Sequence, residues 1–558
     1  MAHKTPKGIP FAYYEASLPF NFEIRKDNKG KFRIFIKENL TIKKYDNDTQ
    51  NFIYSHLNIP LKAINDIEPF EYIQNWSQYR RTKNPHAQFV FIIDEIIKFR
   101  FCSYPVDYYE LYNEYEFDDN EIRKISYHFE NLKGDNNEYH NSHINDFPSQ
   151  KPLFGIPHFN SINDEFLLYK GFEQKQEILK DEKIKWDILY EENDGIDNFY
   201  IKCRFDKKNK VNILVQNSFS LNFKNGTSAI FDCAKLFYSN EFPLIIIETR
   251  NNGGDGRLAM IFNQILQLRI TERAYDSYRL SEISKDYFYF NKFNSFVDVE
   301  TCKEGHSFSD TREISDHYKY NNLDIEHKRI KVIDQLDKTY RNALNNFREQ
   351  YFDSSNLKKP TDIIIFTDSY SLSAASVFIK GFQSRGGAII VGYYGNPYKN
   401  GTELFDSSQS SSEVKNLYFS DIYPKLEKLG FTILGVTIGE SYDDFYQMKI
   451  PIPHEYQFDP VDYRADIYSH YSDDIYETFI KEGLEVHKLF NNGSYCNYKN
   501  NKLLMHNDTC YKIEGDEFAH GGFVCNEGKW STDKCKGYYC DIGYYYDQFE
   551  NKCKKECP

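Results

Sequence analysis

Leu244-Ile-Ile-Ile247 and Ile363-Ile-Ile-Phe366 are continuous apolar runs, each followed by a glycine-rich or small-residue segment and then by a helical pattern. An uninterrupted apolar run marks a strand buried on both faces, the situation in a sheet covered by helices on both sides. Segments 211–215 and 388–391 read as two more strands, and 229–239, 257–268 and 373–383 carry helical spacing of apolar residues. Strand and helix therefore alternate, which predicts an α/β layered core.

That core cannot occupy the whole chain. At 558 residues the length suggests two to four domains. Residues 1–190 mix short alternating runs such as Phe32-Arg-Ile-Phe-Ile36 with polar loops. They are expected to form a mixed α+β region, with 61–73 reading as strand, turn and helix start. Residues 191–490 hold the strand–helix alternation, and 491–558 are expected to be a separate module. The net charge of −14, without a compact Lys/Arg run, disfavours nucleic-acid binding. No stretch approaches the length of a membrane-spanning helix, so no span is expected. His140 and His143 could bind a metal at low affinity, but no further ligand has helical or ribbon spacing, which favours a solvated loop. No metal and no organic cofactor is implied.

Of the 11 cysteines, seven fall between Cys496 and Cys557. A segment that short and that dense lacks an apolar core and needs cross-links. No Cys-x-x-Cys pair occurs in it, which favours disulfides over zinc. The order Cys496, Cys510, Cys525, Trp530, Cys535 resembles a sushi module, and Cys540, Cys553 and Cys557 around Gly543-Tyr-Tyr-Tyr546 resemble an EGF fragment. Disulfides imply an oxidising compartment, so an extracellular location is expected. Residues 1–6 carry no apolar signal core, and an N-terminus that is cut short reconciles the two expectations.

Two strand-to-helix junctions carry the chemistry. Glu248-Thr-Arg-Asn-Asn-Gly-Gly-Asp-Gly256 has the context of a phosphate loop but neither Gly-x-Gly-x-x-Gly nor Gly-Lys-Ser/Thr. Its glycines allow backbone N–H groups to converge on an anion, which fits an oxyanion hole. Thr367-Asp-Ser-Tyr-Ser-Leu-Ser-Ala-Ala-Ser-Val-Phe378 opens a helix with small residues. Taken alone it reads as an N-cap with small packing residues. The other reading is a serine nucleophile at the positive end of the helix dipole.

Together the junctions resemble the tail-specific (C-terminal-processing) serine protease family. The residues that carry the likeness are a hydrophobic strand leading to Arg250-Asn-Asn-Gly-Gly254, then Ser373-Ala-Ala-Ser376, then Ala388-Ile-Ile-Val-Gly392. Ile64-Asn-Asp-Ile-Glu-Pro-Phe-Glu-Tyr-Ile73 is similar to a segment of the secreted protease-like activity factor branch and its fungal relatives. The resemblance covers roughly residues 1–465. It implies a layered crotonase/ClpP-like α/β core, a PDZ-like N-terminal region and a peptidase acting on polypeptides. Ser373 would be the nucleophile, with the backbone of Gly253, Gly254 and Ala374 holding the oxyanion. That branch uses Ser-His-Glu, which implies His3 as base and Glu440 as acid, with Glu455 and Asp443 as rival acids. The processing branch uses Ser-Lys, and Lys399 lies one residue beyond its lysine position. A lysine base needs burial to lower its pKa, and the polar turn 395–401 argues against that, so the triad is favoured. Ser376 departs from the pattern, since relatives often carry an acid there. A catalytically inactive member, acting as a secreted binding protein through the cysteine-rich tail and an extracellular partner, is the competing reading.

Overall fold

The structure, a computed structural model, describes residues 12–77, 84–103, 112–132, 186–193, 198–268, 356–384, 387–399, 401–409, 458–468 and 475–491. It also describes the helix Lys338–Tyr351 and isolated strands elsewhere, including short strands between 503 and 555. The chain divides into two compact units. One comprises residues 1–81, 88–176 and 424–433; the other comprises 82–87, 177–423 and 434–558.

The first unit is built from small antiparallel sheets. Phe20–Lys26 pairs with Phe32–Glu38, and Leu61–Ile64 pairs with Tyr112–Phe117, which pairs with Ile122–Ser126. The segment 61–73 forms the strand, turn and helix its pattern predicts. Asn65 and Asp66 turn the chain at φ 49° and 63°, and the helix Pro69–Ser77 follows.

The second unit contains a seven-stranded mixed sheet. Its order is Tyr463–Arg464, Ile389–Gly392, Ile363–Thr367, Leu244–Glu248, Val211–Gln216, Asn198–Asp206, Ile188–Asn193. The first five are mutually parallel, and the last two add an antiparallel edge. The Leu244 and Ile363 strands are buried at every position. Their alternate side chains serve two faces. Ile246 and Ile365 join a core with the helices Phe223–Tyr238, Gly256–Leu266 and Ala374–Ser384. On the other face Ile245 lies under Gly483 of the helix Ile475–Asn491, and the Phe366 and Phe479 rings meet edge to face at 5.0 Å. This is why both strands lack polar alternation.

Helix boundaries moved where capping decided them. The helix expected over 229–239 begins at Phe223, because the Asn222 side chain accepts from the Asn225 N–H and satisfies a free amide of the first turn. The helix after the glycine loop starts at Gly256, capped by Asp255 through the Arg257 N–H. Cys203 and Cys233, whose spacing alone does not pair them, form a disulfide from the Asn198–Asp206 strand to the Phe223–Tyr238 helix.

Candidate active site

The two junctions meet at the C-terminal ends of the parallel strands. Asp368, directly after the Ile363 strand, accepts from the Arg250 N–H through Oδ2 (3.0 Å) and from the Tyr370 N–H through Oδ1 (2.9 Å). One buried carboxylate therefore ties both loops together. Burial raises its pKa to about 6, against the lowering effect of those two N–H groups. A second tie runs from the Leu372 N–H to the Asn251 carbonyl at 3.0 Å. Asn251 in turn donates to the Glu248 carboxyl (2.7 Å), whose pKa burial pushes up to about 8.

Ser373 is half-buried and adopts φ 53°, a left-handed conformation, immediately before the helix Ala374–Ser384. Such a conformation costs a non-glycine residue about 1–2 kcal/mol. It is not isolated. Arg250 (φ 45°), Ser369 (φ 65°) and Tyr394 (φ 53°) share it, so three adjacent strand ends each carry such a residue. Strain of this kind concentrates at functional sites.

Gly253, at φ 91°, lies against this serine. A Cβ there would stand 2.6 Å from the Leu372 carbonyl, 2.7 Å from Ser373 Cβ and 2.8 Å from the Ala374 nitrogen. Gly254 faces elsewhere: a Cβ there would meet Phe219 and Ser220 backbone at 2.2 Å. The Gly253 N–H is bonded to Asn251 Oδ1 at 2.9 Å, whereas the Gly254 and Ala374 N–H groups make none of the loop's backbone hydrogen bonds. Among the described hydrogen bonds, the Ala374 N–H next to Ser373 at the helix start is thus left unused.

A buried polar network holds the serine loop. Gln409 donates from its backbone to the Ser371 carbonyl and from its side chain to the Ser369 carbonyl, both at 2.7 Å. Asn84 donates to Ser369 Oγ at 2.8 Å. Ser376, fully buried, bonds Ser408 Oγ at 2.8 Å and donates to the Gln409 carbonyl at 3.0 Å. Its departure from the acidic pattern therefore has a structural account, since it fastens the helix Ala374–Ser384 to the 406–409 segment. Lys380, on the same helix and buried, pairs with Asp459 and lies 3.8 Å from Asp406.

The expected bases and acids fare unevenly. His3, Glu455, His140 and His143 lie outside the described residues. Glu440 and Asp443 sit on the strand Gly435–Asp443 of a different sheet, opposite Ser277 and Ala274. Lys399 is half-buried, and its carbonyl accepts from Arg464 at 2.6 Å.

The sequence reading missed His86, which lies among the strand ends of the second unit. It stands near the start of the helix Pro85–Ile97. It is not poised as a base. Its Nδ1 accepts the Asn396 N–H at 3.1 Å, the Arg464 guanidinium stands 3.0 Å from Nε2, and Gly395 packs on the ring. Burial, then the Arg464 and Lys399 charges, drive its pKa far below the ordinary 6.5. An imidazole so held anchors the 393–399 turn.

No protein-family model and no curated protein sequence matches the chain. Among solved structures, mature CPAF complexed with lactacystin is similar, with 14% identity, 87% of this chain and 84% of that chain covered, and a TM-score of 0.40. The photosystem II D1 C-terminal processing protease is similar with 8% identity, 84% and 76% coverage, and a TM-score of 0.27.

Proposed function

We propose that the chain is a serine endopeptidase that cleaves polypeptides through an acyl-enzyme on Ser373. The observation that carries this reading is the left-handed Ser373, held at a helix N-terminus with Gly253 pressed against it. A serine there stands beside backbone amides and the positive end of a helix dipole, which stabilise the oxygen that becomes negative on attack. The serine oxygen attacks the scissile carbonyl and its proton passes to a general base. The oxyanion forms beside the Ala374 and Gly254 N–H groups. Collapse expels the amine, and water releases the acid.

The family likeness assigns the base to His3 and the orienting acid to Glu440, within the secreted activity-factor branch. Lys399 is the alternative base. A PDZ-like N-terminal region, a disulfide-rich C-terminal module that engages an extracellular partner, and secretion complete the proposal. The Cys203–Cys233 disulfide and the disulfide-bonded Cys553 support an oxidising compartment.

A fluorophosphonate probe tests the function. Labelling of the wild type, lost in Ser373→Ala, is the expected result. An unlabelled wild type would leave the binding-protein reading standing. Comparing His3→Gln with Lys399→Met then identifies the base, because only one substitution should abolish labelling.

A further inference from the structure

The first unit holds a cluster unrelated to the serine chemistry. His56 ends the helix Asn47–His56 and is 2% exposed, stacked on Phe52 at 4.1 Å and set against Phe117 at 4.6 Å. Its Nδ1 lies 2.7 Å from the Phe52 carbonyl. A carbonyl can only accept, so Nδ1 carries a proton.

Nε2 on the other side is buried and makes no hydrogen bond. It faces Asp119 Oδ2 at 3.3 Å and Glu121 Oε2 at 3.4 Å, both on the turn between the Tyr112–Phe117 and Ile122–Ser126 strands. Asp119 is oriented there by its other oxygen, which accepts the Glu121 N–H at 3.0 Å. Nearby cations are engaged elsewhere. Arg33 pairs with Asp118, Lys62 with Glu116 and Asn120, and Arg123 with Asp48.

Two arrangements could reconcile a ring nitrogen with two carboxylates. A doubly protonated ring would draw an oxygen in to about 2.7–2.9 Å along its N–H, and neither oxygen is so placed. A metal ion between them gives a different spacing. With metal–nitrogen and metal–oxygen bonds of about 2.0–2.2 Å in a tetrahedron, ligand atoms stand roughly 3.3–3.5 Å apart. Both Nε2 contacts fall there, and the three ligand atoms lie within 4.8 Å of one another. A metal-bound histidine also commonly donates its second nitrogen to a backbone carbonyl, as Nδ1 does to Phe52.

We infer that His56, Asp119 and Glu121 form a divalent-metal site, completed by water on the exposed side and suited to zinc. The imidazole disfavours calcium and magnesium, which take oxygen ligands. The ion would fasten the end of the helix Asn47–His56 to the 118–121 turn.

The test uses the full chain, stripped with chelator and then titrated with Zn²⁺. His56→Ala removes a buried ring and risks misfolding, so the deciding variant is Asp119→Asn with Glu121→Gln. The wild type should bind one more equivalent of Zn²⁺ than the variant and show a Zn²⁺-dependent rise in Tm that the variant lacks. Mg²⁺ and Ca²⁺ should produce neither. In chelator the variant should be at least as stable as the wild type, because its neutral amides remove the repulsion between two neighbouring carboxylates. Equal Zn²⁺ stoichiometry in both proteins would overturn the site. So would a variant less stable than wild type in chelator, the result expected of an imidazolium ion pair.

Discussion

Gly253→Ala adds one methyl at the point where the two loops touch. The new Cβ would lie 2.6–2.8 Å from the Leu372 carbonyl, Ser373 Cβ and the Ala374 nitrogen, and two of these are backbone atoms that cannot rotate away. The residue must also hold φ 91°, which L side chains rarely adopt. The left-handed strain costs about 1–2 kcal/mol, and relieving the contacts displaces the loop from Ser373 by several tenths of an ångström. Misplacing one oxyanion donor costs about 10²–10³ in kcat, and we expect that loss with KM nearly unchanged. The assay is the rate of fluorophosphonate labelling, alongside hydrolysis of an unfolded polypeptide, with far-UV circular dichroism and Tm as folding controls. Two neighbouring glycines sharpen it. Gly254→Ala would drive a Cβ into Phe219 and Ser220 backbone at 2.2 Å, so its damage should appear first in stability. A Cβ at Gly256 meets nothing within 4 Å, and Gly256→Ala should retain activity while gaining up to about 1 kcal/mol. A folded Gly253→Ala protein that labels at the wild-type rate would refute the placement of this loop at the nucleophile.

Three further outcomes are expected. Ser376→Ala leaves Ser408 and the Gln409 carbonyl short of a partner and should lower stability by about 1–3 kcal/mol; denaturant unfolding that finds no loss would remove Ser376 as a fastening. Glu248, raised to about 8 by burial from 4.5, keeps in the folded state a proton that the unfolded chain releases, so stability should fall as pH rises through that window. Glu248→Gln should flatten that slope, and a pH–Tm profile parallel to wild type would contradict the assignment. Cys233→Ser opens a disulfide spanning 30 residues, and the chain-entropy relation puts the loss near 3–4 kcal/mol; an oxidised wild type no more stable than this variant would show that the bond is not formed.

Legibility followed the kind of interaction that fixes each part. The Leu244 and Ile363 strands were readable because burial on both faces removes polar alternation, a signal contained in four consecutive residues. The turn at Gly253 was readable because a positive φ restricts residue type locally, whereas nothing local foretold the left-handed φ of Ser373. The start of the Phe223–Tyr238 helix was not, since one Asn222 side chain decides it against a segment of weak periodicity. Cys203 with Cys233 could not be paired from spacing, because the contact exists only once strand and helix pack. His86 escaped for the same reason. Its neighbours Asn396 and Arg464 are 310 and 378 residues away, and nothing local distinguishes it from a helix-start histidine.

Whether Ser373 is a working nucleophile or a remnant can be argued from its strain. Left-handed non-glycine residues cost of order 1–3 kcal/mol each, against a total folding stability of about 5–15 kcal/mol. Four of them stand at the strand ends, as arginine, two serines and tyrosine, in a chain that uses 28 glycines elsewhere. A protein that only binds through its tail gains nothing from a serine in that conformation. A peptidase gains a half-buried serine at the positive end of a helix dipole. Two nucleophile-free variants separate the strain from the chemistry. Ser373→Ala keeps a Cβ in the left-handed region, whereas Ser373→Gly releases it. Both should lose labelling completely, and the glycine variant should be the more stable by about 1 kcal/mol in urea unfolding. An alanine variant as stable as the glycine variant would mean that Ser373 carries no strain, and the geometric case for a nucleophile would fall with it.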